Sequence, residues 1–334
     1  MVSGKQIKEQ PLFGQSVWNA LPGRKERSDM KKMSSGKKTG RPTPAAFHLM
    51  LLIPVVVTII FYYIPMGGIV LAFKEYKPGL GIFGSEWVGI KHFQYLMDMP
   101  EFHGALKNTL FIALWKIVLN LVLPVVFALM LNEVRVKWFK KTAQTLTFIP
   151  YFLSWVVLGG ILIDFLSPDG GMVNSVLKQL GIQEIYFLGD VKIFPFTIIA
   201  SDVWKNMGYN SIVYLAALTG IDPALYEASA LDGAGRWKQT LHITLPSIAP
   251  FIVLMTILSL GNVLNAGFDQ IFNLYNPAVY ESGDIIDTLV YRLGMVQRQY
   301  SLSTAVGLFK SFISMILILL SYKLADKAAG YQVF

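Results

Sequence analysis

Six stretches of this chain, near residues 47–73, 106–131, 147–166, 194–219, 248–268 and 304–324, are long and apolar enough to cross a bilayer. A hydrocarbon core about 30 Å thick needs roughly twenty apolar residues in a helix. The expected fold class is therefore an all-α integral membrane protein with six transmembrane helices. Composition agrees. Of 334 residues, 54% are hydrophobic and 15% charged, whereas a soluble domain has about a quarter of its residues charged.

The connecting segments set the orientation. Residues 1–46 hold ten Lys/Arg against three Asp/Glu, most of the net charge of +8. The segment 132–146 carries Arg135, Lys137, Lys140 and Lys141 against Glu133 alone, and the carboxyl end has Lys323 and Lys327. The segments 74–105, 167–193 and 269–303 are mixed or acidic. Basic loops stay in the cytoplasm, so both termini and the 222–246 loop are expected there, in the cytoplasmic membrane. Six spans also require both ends on one side, and the charges agree without being forced.

Three regions follow. Residues 1–46 read as a basic, largely disordered cytoplasmic tail, with a possible interfacial turn at Phe13, Val17, Trp18 and Leu21. Residues 47–325 read as the membrane domain, with the 222–246 loop inside it. The tail suits retention in the cytoplasm and contact with anionic membrane lipid better than nucleic acid, because it has no folded basic face. The first apolar run is too long for the core of a signal peptide. Aromatic residues near span ends, Tyr62, Tyr63, Trp87, Trp138, Phe152 and Trp155, fit interfacial belts. Lys77-Pro78-Gly79, Ser167 to Gly171 and Asn276-Pro277 are turn signals in the outer loops.

Several chemistries find no support. There is no cysteine, and His48, His92, His103 and His242 lack metal-ligand spacing. Gly79-Leu80-Gly81-Ile82-Phe83-Gly84 has the spacing of a dinucleotide motif but no preceding buried strand. Ser35-Gly36-Lys37-Lys38-Thr39 lacks the first glycine of a phosphate loop, because Lys31 stands there. The spans hold no paired carboxylates and no Gly-x-Ser-x-Gly. The chain is expected to bind no cofactor or metal and to have no catalytic residues.

Polar residues at membrane depth tend to face the bundle interior or an aqueous path. The fourth span is the richest, with Ser201, Asp202, Trp204, Lys205, Asn206, Tyr209, Asn210 and Ser211 around Gly208. Asp202, Asn206 and Tyr209 share a helix face. Lys205 is spaced either to pair with Asp202 or to meet a ligand. The fifth span carries Ser259, Asn262 and Asn265, spaced for either close helix packing or ligand contact. Lys116 and Asn120 share a face of the second span, and Lys116 either snorkels outward or meets an anionic solute. Lys310 and Asp164 are expected at span ends.

The segment Asp222 to Pro246 is the most polar stretch of the second half. Asp222-Pro223 is a helix start, Ala224 to Leu231 favour helix, Gly233 and Gly235 break it, and a second short helix is expected over Arg236 to His242. Glu227-Ala228-Ser229, three residues, Gly233, nine residues, then Ile243-x-Leu245-Pro246 resembles the EAA loop of bacterial ABC importer permeases. Ser229 stands where that family usually has Ala. Tyr226, Leu231 to Ala234, and Leu245-Pro246 are similar to its carbohydrate-uptake branch, and the likeness extends over roughly residues 45–325.

This resemblance implies a six-span permease paired with a second homologous permease. Two ATPase subunits would hold ATP and Mg, and an extracytoplasmic solute-binding protein would deliver the substrate. Glu227, Ala228, Ser229, Asp232, Gly233, Gly235 and Arg236 would couple to an ATPase, and ATP binding would drive alternating access. The substrate, an oligosaccharide or polysaccharide fragment with a tilt toward acidic, alginate- or uronate-like glycans, would pass near the midplane. Tyr209 and Ser259 are implicated most directly, with Asn206 and Asn262 close by. Lys205, Asn210, Asn265, Lys116 and Asn120 complete the expected path. Amides and tyrosines match what sugars need. The competing readings are an ABC permease for a non-carbohydrate solute, an ion-driven secondary transporter and, last, a membrane-embedded enzyme.

Overall fold

The computed structural model describes residues 44–261 and 263–329. The expectations for the basic tail, and for Asn262, lie outside the described residues. The chain divides into two units, Met1–Met66 and Gly67–Phe334.

In the first unit, helix α1 (Pro44–Thr58) leads through a wider turn, Ile59–Tyr63, to Met66. Pro54 cannot donate within this helix, and Thr58 Oγ1 donates to the Pro54 carbonyl at 2.7 Å. Residues 47–66 are exposed throughout, and apolar side chains around the whole circumference mark a helix meant for lipid. The helical run Phe47–Phe73, 27 residues, is long and apolar enough to span a membrane.

The second unit contains a two-stranded antiparallel hairpin, β1 (Lys74–Glu75) and β2 (Glu86–Trp87), and then helices α2 (Lys91–Asp98) and α3 (Pro100–Glu133). Next come α4 (Lys137–Phe152), α5 (Trp155–Leu166), α6 (Phe194–Thr219) and α7 (Pro223–Leu231). The continuous run α8 (Arg236–Leu260), α9 (Phe268–Leu274), α10 (Ile286–Tyr291) and α11 (Tyr300–Ala329) complete it.

The all-helical membrane fold is as expected, and four helices cross on length and apolarity, or five if α4 and α5 are one bent span. The predicted fourth span, α6, has 26 residues, which at ~1.5 Å each is ample. Its charged and amide stretch leaves it less apolar than the others.

Three boundaries differ from expectation. The third span is broken: α4 and α5 meet at 109°. Pro150 removes one helical hydrogen bond near the end of α4. Ser154 then caps the new helix by accepting from Val157 N–H at 3.3 Å. The fifth span starts earlier and stops sooner, at Leu260, and Gly261 and Val263 to Gly267 are irregular. The second helix of the 222–246 loop is not separate, because Arg236–Gln239 runs through Thr240–Thr244 into the span.

Three apolar layers stack along the second unit. The first, at the start of α3, joins Leu96, Phe102, Ala105, Leu289, Leu293 and Val306. The middle joins Ile112, Ala113, Ile198, Val203, Ile271 and Leu274. The third, toward the end of α3, joins Val125, Ala128, Tyr214, Leu218 and Ile248. Between the second and third layers α3 carries Lys116 and Asn120, and α6 carries Lys205, Asn206, Tyr209, Asn210 and Ser211, near the helix midpoints.

The segment from Glu281 to Ile286 is stitched to α3. Asn108 Nδ2 donates to the carbonyls of Glu281 and Asp284 at 3.0 and 3.1 Å, and Thr109 Oγ1 accepts from Ile286 N–H at 2.9 Å. Asp284 pairs with Arg292 at 2.7 Å. Burial pushes the Asp284 carboxyl up, against the pull of Thr288 and Arg292. Lys310, expected at a span end, pairs with Asp287 just after this segment at 2.5 Å.

Candidate functional site

Lys116 sits in the middle of α3, buried. Its Nζ donates to Ala266 O at 2.7 Å and to Gln270 Oε1, and lies 3.4 Å from Asp202 Oδ1. Three partners for three donors leave the ammonium satisfied. Lys116 neither snorkels nor stands free for an anion, because the partners that fold over it occupy every proton. Asp202 Oδ2 accepts from Asn120 Nδ2 at 2.9 Å, Asn210 Nδ2 donates to Asn120 Oδ1 at 3.4 Å, and Asn206 Nδ2 donates to the Asp202 carbonyl at 3.0 Å. Gln270 Nε2 donates to Ile198 O at 2.7 Å and Ser201 Oγ at 2.8 Å. The charges form one belt, and it welds α3, α6 and the irregular segment before α9.

Lys205 does not pair with Asp202. Its Nζ reaches the carbonyls of Pro150, Tyr151 and Leu153 at 3.1, 2.9 and 2.5 Å. A broken helix leaves its last carbonyls without N–H partners, and this buried ammonium supplies them. It also lies 5.7 Å from the Tyr151 ring centre and 5.4 Å from that of Trp155, within cation–π range. Trp155, expected in an interfacial belt, faces this cation.

One turn on, Gly208 packs so closely on α4 that a Cβ there would stand 2.3 Å from Thr147 O. That approach brings Tyr209 onto Tyr151, with ring centres 3.8 Å apart and planes within 1°. Tyr209 remains 43% exposed, so one edge of an aromatic pair faces open space beside the amides Asn206 and Asn210.

The remaining expected path residues stand apart. Ser259 donates only to Met255 O of its own helix, at 2.8 Å. Asn265 is exposed and accepts from Gly267 N–H at 3.3 Å. The structure thus brings together Lys116, Asn120, Asp202, Asn206 and Asn210, sets Tyr209 beside Lys205, and gives Ser259 and Asn265 local bonds. Gln270 and Tyr151 were missed. Gln270 lies in a segment that reads as external, and nothing in its spacing separates it from other loop amides. Pro150 before Tyr151 was the available signal for a break.

The 222–246 loop is braced within itself. Asp222 Oδ1 accepts from Ala224 N–H at 2.9 Å, closing the start of α7. At the other end Gly233 adopts φ +78°. Gly233 N–H bonds Ala230 O at 3.1 Å and Ala234 N–H bonds Ser229 O at 2.9 Å, the pair of bonds that closes a helix through a left-handed residue. Gln239 Nε2 donates to Ser229 Oγ at 3.0 Å, and Tyr226 OH meets Thr244 Oγ1 at 2.9 Å. Arg236 pairs with Glu133 at the end of α3. Glu227, Ala228, Asp232, Gly233, Gly235 and Arg236 are exposed, whereas Ser229 is half-buried and turned toward Gln239.

A helical membrane protein with a satisfied polar belt at mid-depth and a stiff polar loop between two spans has the form of a transport subunit. The chain belongs to the family of binding-protein-dependent transport system inner membrane components, which matches residues 120–328. It is a multi-pass inner-membrane permease of the ABC transporter class, a membrane subunit rather than an enzyme.

Among its relatives is the polygalacturonan/rhamnogalacturonan transport system permease protein YteP of Bacillus subtilis, 44% identical over 280 residues, covering 84% of this chain and 87% of that one. The arabinooligosaccharides transport system permease protein AraP of the same species is 28% identical over 277 residues, covering 81% and 86%. A bacterial ABC transporter involved in the import of the acidic polysaccharide alginate has a chain that superimposes with a TM-score of 0.78 at 36% identity, covering 91% of this chain and 99% of that one.

Proposed function

We propose that this chain is one of a pair of permease subunits importing oligosaccharides or polysaccharide fragments that carry acidic sugars. A solute-binding protein delivers the glycan on the outer side, and two ATPase subunits beneath hydrolyse ATP. Both termini and the 222–246 loop face the cytoplasm. In the alginate transporter solved with a periplasmic protein, that protein carries an alginate pentasaccharide. Together with the polygalacturonan/rhamnogalacturonan permease among the relatives, this favours acidic glycans over other solutes.

The observation that carries the reading is the braced 222–246 loop. A helix closed at both ends and tied to the root of the next span transmits a push without bending. Glu227, Ala228, Asp232 and Gly233 form its exposed face, and Gly235 with Arg236 sets the turn into α8. Ser229 stiffens it from behind. Within the membrane, the open edge of Tyr209 with Asn206 and Asn210 offers the ring face and amide donors that sugars bind. Ser259 on α8 and Asn265 beyond its end extend the path. Lys116, Asn120 and Lys205 hold the path in shape rather than gripping the solute.

An ion-driven transporter fits less well. Its relay would need a carboxylate free to change protonation, and Asp202 is committed to Lys116 and Asn120. The test is to replace Glu227 by Lys, or Gly233 by Val, in the assembled complex. Copurification of the ATPase subunit and ATP hydrolysis stimulated by the binding protein should both fall. Normal values for both would remove the coupling role.

A further inference from the structure

The polar belt and the Asp284–Arg292 pair are each accounted for by packing or by the roles above. A different cleft is not. It lies where the β1–β2 hairpin, α2 and the start of α11 converge, and encloses about 370 Å³. Tyr76, Tyr95 and Tyr300 line it together with Arg298 and Gln299. Tyr76 and Tyr300 meet edge to face with ring centres 5.8 Å apart, and Tyr76 N–H bonds Ser301 Oγ at 2.9 Å, so this wall is fixed. Tyr95 is 58% exposed. Glu75, also on the rim, is neutralised by Lys91 at 3.3 Å.

Arg298 is the unusual element. Its φ is +59°, the left-handed region, and it is the one non-glycine residue there among the described residues. The turn is imposed from outside, since Gln299 N–H bonds Leu293 O at 2.8 Å just before α11 begins. A glycine would sit there without strain. The chain instead has a guanidinium at the cleft, with no carboxylate partner among the described residues. Backbone strain that persists under a residue other than glycine points to a role for its side chain.

We propose that this cleft is an outer-face subsite for one or two uronate residues of an incoming glycan. Arg298 binds the sugar carboxylate through two parallel N–H donors, Gln299 binds a hydroxyl, and the tyrosines supply ring faces and further hydroxyls. Its volume is at the small end of the ~300–1,000 Å³ typical of ligand sites, which suits a sugar and not a protein surface. A docking patch for a protein would be flatter and broader, about 1,000 Å² or more. The proposal rests on the carbohydrate reading and on the outward placement of residues 74–105 and 269–303. It adds the site that selects for acid before the glycan enters the membrane path.

The experiment uses the assembled transporter in lipid nanodiscs and proteoliposomes, with trigalacturonate and arabinotriose as probes. Arg298→Gly relaxes the backbone while removing the guanidinium, so loss of folding is not expected, and Arg298→Asn serves as a second variant at home in this conformation. Calorimetric binding of trigalacturonate should weaken at least tenfold in both variants, with arabinotriose unchanged. In uptake, KM for trigalacturonate should rise with kcat retained, and Tyr95→Ser should raise it less.

Equal losses for both probes, or no loss, would overturn the uronate subsite. Weaker docking of the empty binding protein to Arg298→Gly would make the cleft a protein contact instead. If wild-type transporter takes up neither probe, the carbohydrate reading fails, and the calorimetric comparison still decides the cleft by itself.

Discussion

The 222–246 loop and the mid-membrane belt are the two polar regions of an apolar chain, and they are held by opposite means. In the loop every brace but the exposed Arg236–Glu133 pair is short-range. Ser229 bonds Ala234 and Gln239, and even Tyr226 and Thr244 are only 18 residues apart. In the belt the partners are remote: Lys116 and Ala266 are 150 residues apart, Asn120 and Asp202 82, Lys205 and Leu153 52. A region held by its own neighbours moves as one piece on whatever carries it. A region held by distant partners fixes the helices to each other. The loop is therefore built as a lever and the belt as a weld, so damage should stay local in the first and spread in the second.

The largest effect is expected from Asp202→Leu. It strands the Lys116 ammonium at mid-membrane, and removing one partner of a buried pair costs about 3–5 kcal/mol. Folded protein recovered in detergent should fall sharply. Adding Lys116→Met should restore most of it, since two apolar residues replace a pair whose desolvation offsets much of its attraction. Failure of the double variant to recover would mean that the ion pair is more than a weld.

Gly208→Ala comes next. The methyl group cannot fit 2.3 Å from Thr147 O, so α4 and α6 must separate, at about 1–3 kcal/mol. The Tyr151–Tyr209 pair should open with them. Substrate affinity should therefore drop along with the melting midpoint, and a lower midpoint with unchanged affinity would detach the aromatic pair from the solute.

Lys205→Met leaves the carbonyls at the broken span without their donor, and unsatisfied buried groups cost about 1–3 kcal/mol. Because the chain has no cysteine, pairs introduced at positions on α4 and α5 can report the bend by cross-linking. The 109° break should loosen without Lys205. If Lys205 gripped an acidic sugar instead, the bend would hold and only uptake of acidic probes would fall.

The same contrast explains what could be read from the chain. The start of α7 at Asp222-Pro223 and its end before Gly233 were legible because caps are written in adjacent residues. The six apolar runs were legible because spanning is a matter of length and composition. The break at Leu153 was not, since Pro150 alone also occurs in bent but unbroken helices, and what stabilises the break is a lysine on another span. Lys205 and Asp202, three residues apart, looked like a pair. The partners each chose come from α3 and α4, and nothing in local spacing announces them. Asn265 reads as part of a helix that in fact ends at Leu260, because Gly261 is too weak a stop signal within so apolar a run.

The smallest effect belongs to Ser229→Ala. The hydroxyl donates to Tyr226 O at 2.9 Å and accepts from Gln239 Nε2 at 3.0 Å, and bonds of this kind contribute about 0.5–1.5 kcal/mol each. Ser229 is half-buried, so water replaces part of what is lost, and Gln239 keeps Tyr226 O at 3.3 Å. Alanine also favours helix over serine by about 0.5 kcal/mol. The terms nearly cancel, and the global melting midpoint should stay within about 2 °C of the parent. What should change is local: amide exchange across residues 226–239 should quicken severalfold while exchange in α3 and α6 stays as it was. A drop in midpoint approaching that of Asp202→Leu would mean that the loop is welded to the bundle after all, and could not serve as a lever.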